Sequence, residues 1–249
     1  MIRNPLEQFQ IIDLLSVSIL DSYKLSLTNV GLYVIIATMS ALAIFFMGNS
    51  KKQILWNYNS LVQESTFGGI KSLIRDQIGG ANERYLPFIL SLFLFILFSN
   101  LLGMIPYSFT ATSQIVLALS LSVAILIGVT ILGLTLHGLT FFSLFVPVGT
   151  PLALVPLLVS IELISYLARA VSLGIRLAAN VIAGHILLKI LSTFIYAAMK
   201  SSIIFFIIGV IPAIVFTALV GLELCIAFLQ AIVFIILTCS YIRDAIYLH

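Results

Sequence analysis

A long apolar segment with a few ionisable side chains occupies residues 156–188, PLLVSIELISYLARAVSLGIRLAANVIAGHILL. Polar side chains recur along it at spacings of 7, 7 and 4 residues: Glu162, Arg169, Arg176 and Asn180. At about 100° per residue they fall within about 40° of one another on a helix. A charge at mid-membrane costs at least about 2.5–3.5 kcal/mol, so we expect this face to meet a partner or a wet cavity. Alternatively, the two arginines reach the headgroups from helix ends.

The apolar sequence extends beyond this segment and is followed by a second one. The first segment, residues 155–199, contains no proline after Pro156. The second segment covers residues 203–247. Each is about 65 Å long if helical, against a hydrocarbon core of about 30 Å. Each is either two crossings joined by a tight turn or one long tilted helix. Because neither contains a turn cluster, we expect two long, strongly tilted helices that pack as a hairpin.

The second segment also carries a polar stripe. Glu223, Gln230, Tyr241 and Asp244 lie within about 60° of one another on a helical wheel. Glu223 is then either a protonatable group in a proton path or a neutral carboxyl that is hydrogen-bonded in a core. Asp244 adjoins Arg243 and alternatively marks the membrane surface.

One histidine of the first segment stands apart from the arginine face. His185 lies nine residues after Arg176, which places it on the opposite side of an ideal helix. It is either a structural histidine or, together with Glu223, half of a proton relay between the two segments.

Composition sets the class of protein. Of the 249 residues, 61% are hydrophobic and only 8% are charged, whereas soluble domains have about 25% charged residues. No Asp, Glu, Lys or Arg occurs in residues 85–161. These features predict an all-α integral membrane protein and exclude an aqueous globular fold. The net charge of +3 is too small to indicate a nucleic-acid partner.

Residues 1–249 are expected to form a single membrane domain. The prediction comprises a first transmembrane helix at 29–47, a polar stretch with an amphipathic surface helix at 51–84, and proton-channel helices over 85–249. The excess of Lys and Arg in the polar stretch places the N-terminus on the opposite side of the membrane. Within the last part we expect helices at Pro87–Met104 and Gln114–Leu136 and an irregular connection at Gly138–Pro156.

Chemistry that makes or breaks covalent bonds finds little support in the sequence. No spacing favours a Ser-His-Asp arrangement, a metal-binding pair or a phosphate-binding glycine loop, so we expect no enzyme activity, cofactor or metal. Cys225 and Cys239 would be about 21 Å apart on a helix, too far for a disulfide. The alternatives to a proton channel are a proton-coupled secondary transporter, for which the expected repeated halves are absent, and a structural membrane anchor.

Several stretches resemble subunit a of the F-type ATP synthase, especially its fungal mitochondrial form. The most specific is SLGIRLAANVIAGH at residues 172–185. Further stretches are FFSLFVPVGTPLALVP at 141–156, IGGANERYLPFILSLFLFILFSNLLGMIPYSF at 78–109, and the ending YIRDAIYLH. The resemblance runs from about residue 77 to the end, and more loosely through the first helix.

The resemblance implies a role for each polar residue of the two segments. Arg176 matches the arginine that faces the carboxylates of the rotating c-ring and separates two aqueous half-channels. His185 and Glu223 match the pair that lines the half-channel from the intermembrane space. The remaining matches are acidic groups of the matrix-side half-channel and polar neighbours of the arginine: Glu162, Asp244, Asn180, Gln230 and Arg169.

The resemblance also implies partners and a location. The chain would be a non-catalytic stator subunit that works with the c-ring, the peripheral stalk, other Fo membrane subunits, lipid, water and protons. It would lie in the mitochondrial inner membrane as a multi-pass protein, with its N-terminus on the intermembrane-space side. A bacterial plasma membrane is the alternative location.

Overall fold

The structure is a computed structural model, and it describes residues 5–20, 23–49, 58–105, 108–146, 154–201 and 209–247. Most of this part of the chain is helical, as six α-helices: α1 (Asn29–Asn49), α2 (Tyr58–Ile78), α3 (Leu86–Gly103), α4 (Ile115–His137), α5 (Val155–Ser201) and α6 (Val210–Ile246). Four described stretches are long and apolar enough to span a membrane: Asn82–Gly103, Ile115–Ser143, Val155–Lys200 and Val210–Ile246. The predicted class, an all-α membrane protein, is confirmed.

The two long polar-striped segments form long helices. α5 is one unbroken helix of 47 residues, about 70 Å long, and not two crossings joined by a turn. α6 has 37 residues and begins at Val210, with Pro212 in its first turn, where a missing N–H costs nothing. The start of the second predicted segment, 203–208, lies outside the described residues. The tilt of the helices and their packing as a hairpin stay predictions.

The other predicted helices agree closely with the structure. α3 and α4 begin and end within one residue of the predicted spans. α1 starts where the first crossing was predicted. α2 lies in the polar stretch and buries one face through Ile70, Ile74 and Ile78. The beginning of that stretch, with the preceding residue 50, lies outside the described part. The position of α2 at a membrane surface stays a prediction.

Two helices end at a glycine with positive φ. Gly79 follows α2 with φ 96° and Gly138 follows α4 with φ 58°. A left-handed residue at this point terminates a helix, and glycine adopts it without the steric cost of a Cβ. In the predicted irregular connection the chain forms a 3-10 helix over Gly138–Phe145. Residues 147–153 of that connection lie outside the described part.

The N-terminal region contains a β-hairpin that the prediction of membrane helices did not include. Strands β1 (Asp13–Leu20) and β2 (Tyr23–Thr28) pair antiparallel. The register places Leu15 opposite Leu27 and Ser16 opposite Ser26. Apolar and polar residues therefore alternate on the two faces, which is the period-2 pattern of a strand.

The chain divides into two compact units. The first comprises residues 1–42, 95–114 and 178–231, and the second comprises 43–94, 115–177 and 232–249. Helices α1, α3, α5 and α6 each contribute a part to both. The prediction of a single membrane domain is not tested by this division.

The core of the first unit contains polar as well as apolar side chains. Apolar residues such as Ile96, Phe109 and Ala178 are buried there. Buried beside them are six polar or ionisable side chains: Ser99, Asn100, Thr110, Thr112, Ser113 and Glu223. Polar groups shielded from water need partners or a cavity, so this unit is where a site is expected.

The second unit has a mostly apolar core built on close helix packing. Ile89, Ile125 and Phe234 are among its buried side chains. A Cβ on Gly174 of α5 would lie 2.6 Å from the Ser122 hydroxyl oxygen of α4 and 2.9 Å from a backbone oxygen. The glycine is therefore needed for the close approach of α4 and α5 in this unit.

Candidate functional site

Four of the predicted site residues come together in the first unit. Asn180 and His185 of α5 and Glu223 and Gln230 of α6 line one cavity with an empty volume of about 280 Å³ including its mouth. Asn100 of α3 lines it as well. The enclosed part of this cavity has room for at least one water molecule among these polar side chains. We call these residues, with Thr110, the histidine cluster.

Glu223 is the most isolated ionisable group of the histidine cluster. It is 7% exposed, and neither carboxyl oxygen has a hydrogen-bond partner among the described residues. Its Oε1 lies 3.6 Å from Nδ1 of His185, close to but beyond a good hydrogen bond. The predicted proximity of the two side chains is therefore found.

A glycine makes the approach of Glu223 to α5 possible. A Cβ on Gly184 would lie 2.6 Å from Oε1 of Glu223 and 2.9 Å from its carboxyl carbon. Any other residue at position 184 would force the carboxyl away from α5. Gly184, the residue before His185, therefore leaves the space that the Glu223 carboxyl occupies next to the histidine.

The imidazole ring of His185 also has contacts on the side that faces away from Glu223. Its Nε2 lies 3.0 Å from the hydroxyl oxygen of Thr110. The ring of Phe9 meets it edge-on, with ring centroids 6.4 Å apart. Gln114 in turn donates a 2.9 Å hydrogen bond to the Phe9 carbonyl. A ring with contacts on both sides has few orientations open to it.

Asn100 and Thr110 were missed by the sequence analysis, which searched for charges. Asn100 is 2% exposed, donates to the Ala227 carbonyl at 3.3 Å and accepts from the Thr112 hydroxyl at 2.8 Å. It therefore fixes α6 near the cavity. The available signal was an amide near the end of the apolar run 86–103, followed by a hydroxyl-rich stretch at 108–113.

Three further predicted residues come together in the second unit. Arg169 of α5 contacts Asp244 of α6 at 3.1 Å and Glu162, two turns earlier on its own helix, at 3.6 Å. Tyr241 donates a hydrogen bond of 3.3 Å to the Arg169 carbonyl. We call these four residues the arginine cluster. Asp244 is thus not a free surface residue, and Arg169 has two anionic partners.

The arginine cluster lies beside two cavities. A narrow one of about 270 Å³ is lined by Tyr166 and Phe141 together with Arg169, Tyr241 and Asp244. A wider, polar one of about 780 Å³ is lined by Asp244 and by residues at the end of α2 and around the end of α6: Arg75, Asp76, Gln77, Ile78, Gly79, Arg243 and Tyr247. Asp244 lines both, so its carboxylate is within reach of water from the wider one.

Arg176 belongs to neither cluster. Its side chain is exposed on α5, and within the described ranges it has no hydrogen bond or ion pair. Its helix neighbours Ile175 and Val171 are 47% and 44% exposed and apolar. A guanidinium on such a surface in a bilayer requires an anion or water supplied from outside the chain.

The structure offers no metal site in the part of the chain that it describes. No three His, Cys, Asp or Glu side chains there are grouped closely enough to hold an ion. Cys225 and Cys239 are both free thiols, one exposed and one buried.

Comparison with known proteins identifies the family. Residues 31–243 match the family model of the ATP synthase A chain. The chain is similar to ATP synthase subunit a of Mycosarcoma maydis, with 53% identity over 100% of this chain and 99% of the relative. The corresponding proteins of Neurospora crassa and Kluyveromyces lactis are 51% and 45% identical, over 100% of this chain and 95% and 98% of their own lengths. These full-length matches confirm the resemblance carried by residues 172–185, and the chain belongs to the ATP synthase subunit a family.

Proposed function

We propose that this multi-pass membrane protein is the stator subunit of the Fo proton channel of ATP synthase, with one half-channel at each of its two polar clusters. The observation that carries the proposal is the distribution of charge along α5. Arg169, which contacts the carboxylates of Glu162 and Asp244, precedes Arg176 along α5, and His185, which lies close to the buried Glu223 of α6, follows it. Arg176 itself is left without a partner in the described chain.

The histidine cluster suits the uptake of protons from the intermembrane space. His185 and Glu223 are both able to bind and release a proton, and the cavity they line has room for water. Asn180 and Gln230 have amide groups that can orient such water by donating and accepting hydrogen bonds. A proton that reaches Glu223 neutralises a carboxylate that would otherwise be buried without a hydrogen bond.

Arg176 would separate the two half-channels. A guanidinium stays protonated in proteins, so it repels a proton but cannot relay one. Its exposed position on an apolar helix surface allows it to face a carboxylate of the c-ring. Attraction to an ionised ring carboxylate would hold the ring until a proton arrives from the histidine cluster. Neutralised carboxylates then rotate away through lipid.

The arginine cluster suits the release of protons on the matrix side. Asp244 and Glu162 are about 37% exposed, and Asp244 lines the wide polar cavity. A proton that leaves the ring after nearly a full turn would pass this region to water. The driving force is about 2.3 kcal/mol per charge per 100 mV, and it becomes rotation because Arg176 blocks the direct route.

The partners and the location follow from the same proposal. The chain would work with the c-ring, the peripheral stalk and other Fo membrane subunits, as a non-catalytic part of a complex that makes ATP. The fungal relatives favour the mitochondrial inner membrane over a bacterial plasma membrane, with the N-terminus on the intermembrane-space side. Family membership also favours this function over a proton-coupled secondary transporter.

The test is replacement of the unpartnered arginine in the whole ATP synthase. Vesicles that contain the complex with Arg176→Ala or Arg176→Gln should show no ATP-driven proton pumping, while passive proton leakage is unchanged or higher. Arg176→Lys should also be strongly impaired, because an ammonium lacks the planar five-donor fork and can lose its proton.

A matched control is Arg84→Gln, which removes an exposed arginine whose guanidinium lies 5.8 Å from the Tyr85 ring centre. It should pump at the wild-type rate. Assembly of every variant is checked by the amount of subunit a in the purified complex. Normal pumping by the Arg176→Ala complex would show that the proposed function of this arginine is wrong.

A further inference from the structure

The two ring nitrogens of His185 face different partners. Nδ1 lies 3.6 Å from Oε1 of Glu223, and Nε2 lies 3.0 Å from the hydroxyl of Thr110. We propose that Thr110 is a positioning residue, which holds the imidazole so that Nδ1 and not Nε2 exchanges the proton with Glu223. This inference rests on the proposed role of His185 and Glu223 as a proton relay.

Thr110 is itself held firmly. It is 4% exposed and directly precedes the 3-10 helix Ala111–Ser113. Its carbonyl accepts hydrogen bonds from the Ser113 backbone N–H at 3.2 Å and from the Ser113 hydroxyl at 2.6 Å. A Cβ on Gly103 would lie 2.4 Å from the Thr110 methyl carbon and 2.5 Å from its hydroxyl oxygen. Only a glycine at the end of α3 lets Thr110 occupy this place.

The hydrogen bonds of Thr110 are compatible with one tautomer of His185 that suits the proposed role. The Thr110 hydroxyl oxygen lies 3.0 Å from Nε2 and 3.4 Å from the carbonyl oxygen of Gly103. That carbonyl also accepts a hydrogen bond of 3.2 Å from the Ser108 hydroxyl. In the proposal the single Thr110 hydroxyl proton goes to the Gly103 carbonyl, so the Thr110 oxygen accepts from Nε2–H and the unprotonated Nδ1 faces Glu223.

This arrangement defines the proton transfer. A proton bound by Nδ1 converts the neutral ring to imidazolium, with Nε2–H still bonded to Thr110. Release of the Nδ1 proton to Oε1 of Glu223 restores the neutral ring and turns the carboxylate into a carboxylic acid. At 3.6 Å the transfer needs one intervening water or a small closing movement. Without Thr110 the ring could rotate and present neither nitrogen to Glu223.

The experiment compares Thr110→Val, which keeps the shape but lacks the hydroxyl, with Thr110→Ser, which keeps the hydroxyl. Both are measured in the complete ATP synthase in vesicles, as the rate of ATP-driven proton pumping per assembled complex. Because Thr110→Val removes the hydrogen bond between Thr110 and Nε2 of His185, the variant should pump about three- to tenfold more slowly. Thr110→Ser should recover at least half of the wild-type rate. The control Thr38→Val removes a hydroxyl whose hydrogen bond in the described part of the chain goes to the Ile35 carbonyl of its own helix, and it should pump normally.

A His185→Ala background separates this inference from the proposed function. If His185→Ala pumps at the wild-type rate, the relay itself is wrong. If His185→Ala is slow but Thr110→Val is not, or if Thr110→Ser is as slow as Thr110→Val, only the role of Thr110 is overturned. The inference predicts that Thr110→Val adds no further loss to His185→Ala. Should Thr110→Val not assemble, Thr110→Ala, which leaves a gap instead of two methyl groups, is measured with the same expectation.

Discussion

Substitution of Gly184 tests how tightly the position of Glu223 controls proton uptake. In Gly184→Ala the new Cβ would lie 2.6 Å from Oε1 of Glu223, whereas an ordinary contact begins at 3.4 Å. The carboxyl must retreat by the difference, about 0.8 Å, because α5 is a continuous helix whose backbone moves less easily than a side-chain end. This retreat lengthens the 3.6 Å separation from His185.

The expected result is a loss of rate with little loss of stability. The carboxyl is the far end of a flexible side chain, so overpacking costs about 1 kcal/mol, at the low end of its usual range. An alanine in a helix recovers about 0.5–1 kcal/mol relative to glycine. A misplacement of about 1 Å in a reacting pair can reduce a rate up to about a hundredfold. We therefore expect a normally assembled complex that pumps at least tenfold more slowly.

The assay is ATP-driven proton pumping in vesicles, normalised to assembled complex. Gly128→Ala is the control, because no atom lies within 4 Å of its added Cβ. It gains the same helix propensity without touching either cluster, so its rate should equal that of the wild type. A Gly184→Ala complex that pumps as fast as Gly128→Ala would refute the idea that the distance between His185 and Glu223 limits proton uptake.

Two other substitutions probe the second unit. Arg169→Gln leaves the carboxylates of Glu162 and Asp244 without their shared cation, and since both ion pairs are partly exposed, each contributes at most about 1 kcal/mol. We expect proton pumping to fall about three- to tenfold without being abolished, and complete loss of pumping would contradict this estimate. Gly174→Ala pushes a methyl group into α4, which should cost about 1–3 kcal/mol and lower the thermal stability of the complex in scanning calorimetry, whereas Gly128→Ala should not.

The helical part of the fold was predictable because the bilayer imposes simple rules on sequence. An apolar run that must satisfy its own backbone hydrogen bonds becomes a helix, so α3 and α4 follow directly from hydropathy. The choice of one long helix for 155–199 followed from the absence of a turn cluster and of any proline after Pro156. The hairpin of β1 and β2 was missed because its strands are short and its alternation is a weaker signal than a long apolar run.

The site was predictable where its residues are ionisable, and less so where they are not. Glu162, His185 and Glu223 are conspicuous because charge is rare in this sequence. Thr110 and Asn100 act through hydrogen bonds between distant parts of the chain, which no periodicity of one helix reveals. The division into two clusters also needed coordinates, because helical spacing predicts which residues share a face but not which neighbour that face meets.

The two clusters hold their carboxylates under opposite electrostatic conditions. Glu162 and Asp244 contact a permanent cation, so their ionised forms are compensated whether or not a proton is passing. Among the described residues, the ionisable group that lies close to Glu223 is His185, whose charge depends on the same proton. Moving one proton from the protonated His185 ring to the Glu223 carboxylate leaves two neutral groups, and the net charge of the pair stays zero. In our proposal this internal step costs little, because it exchanges a compensated ion pair for two neutral groups. The pair without the proton instead carries the buried charge of the Glu223 carboxylate, which favours the uptake of the next proton.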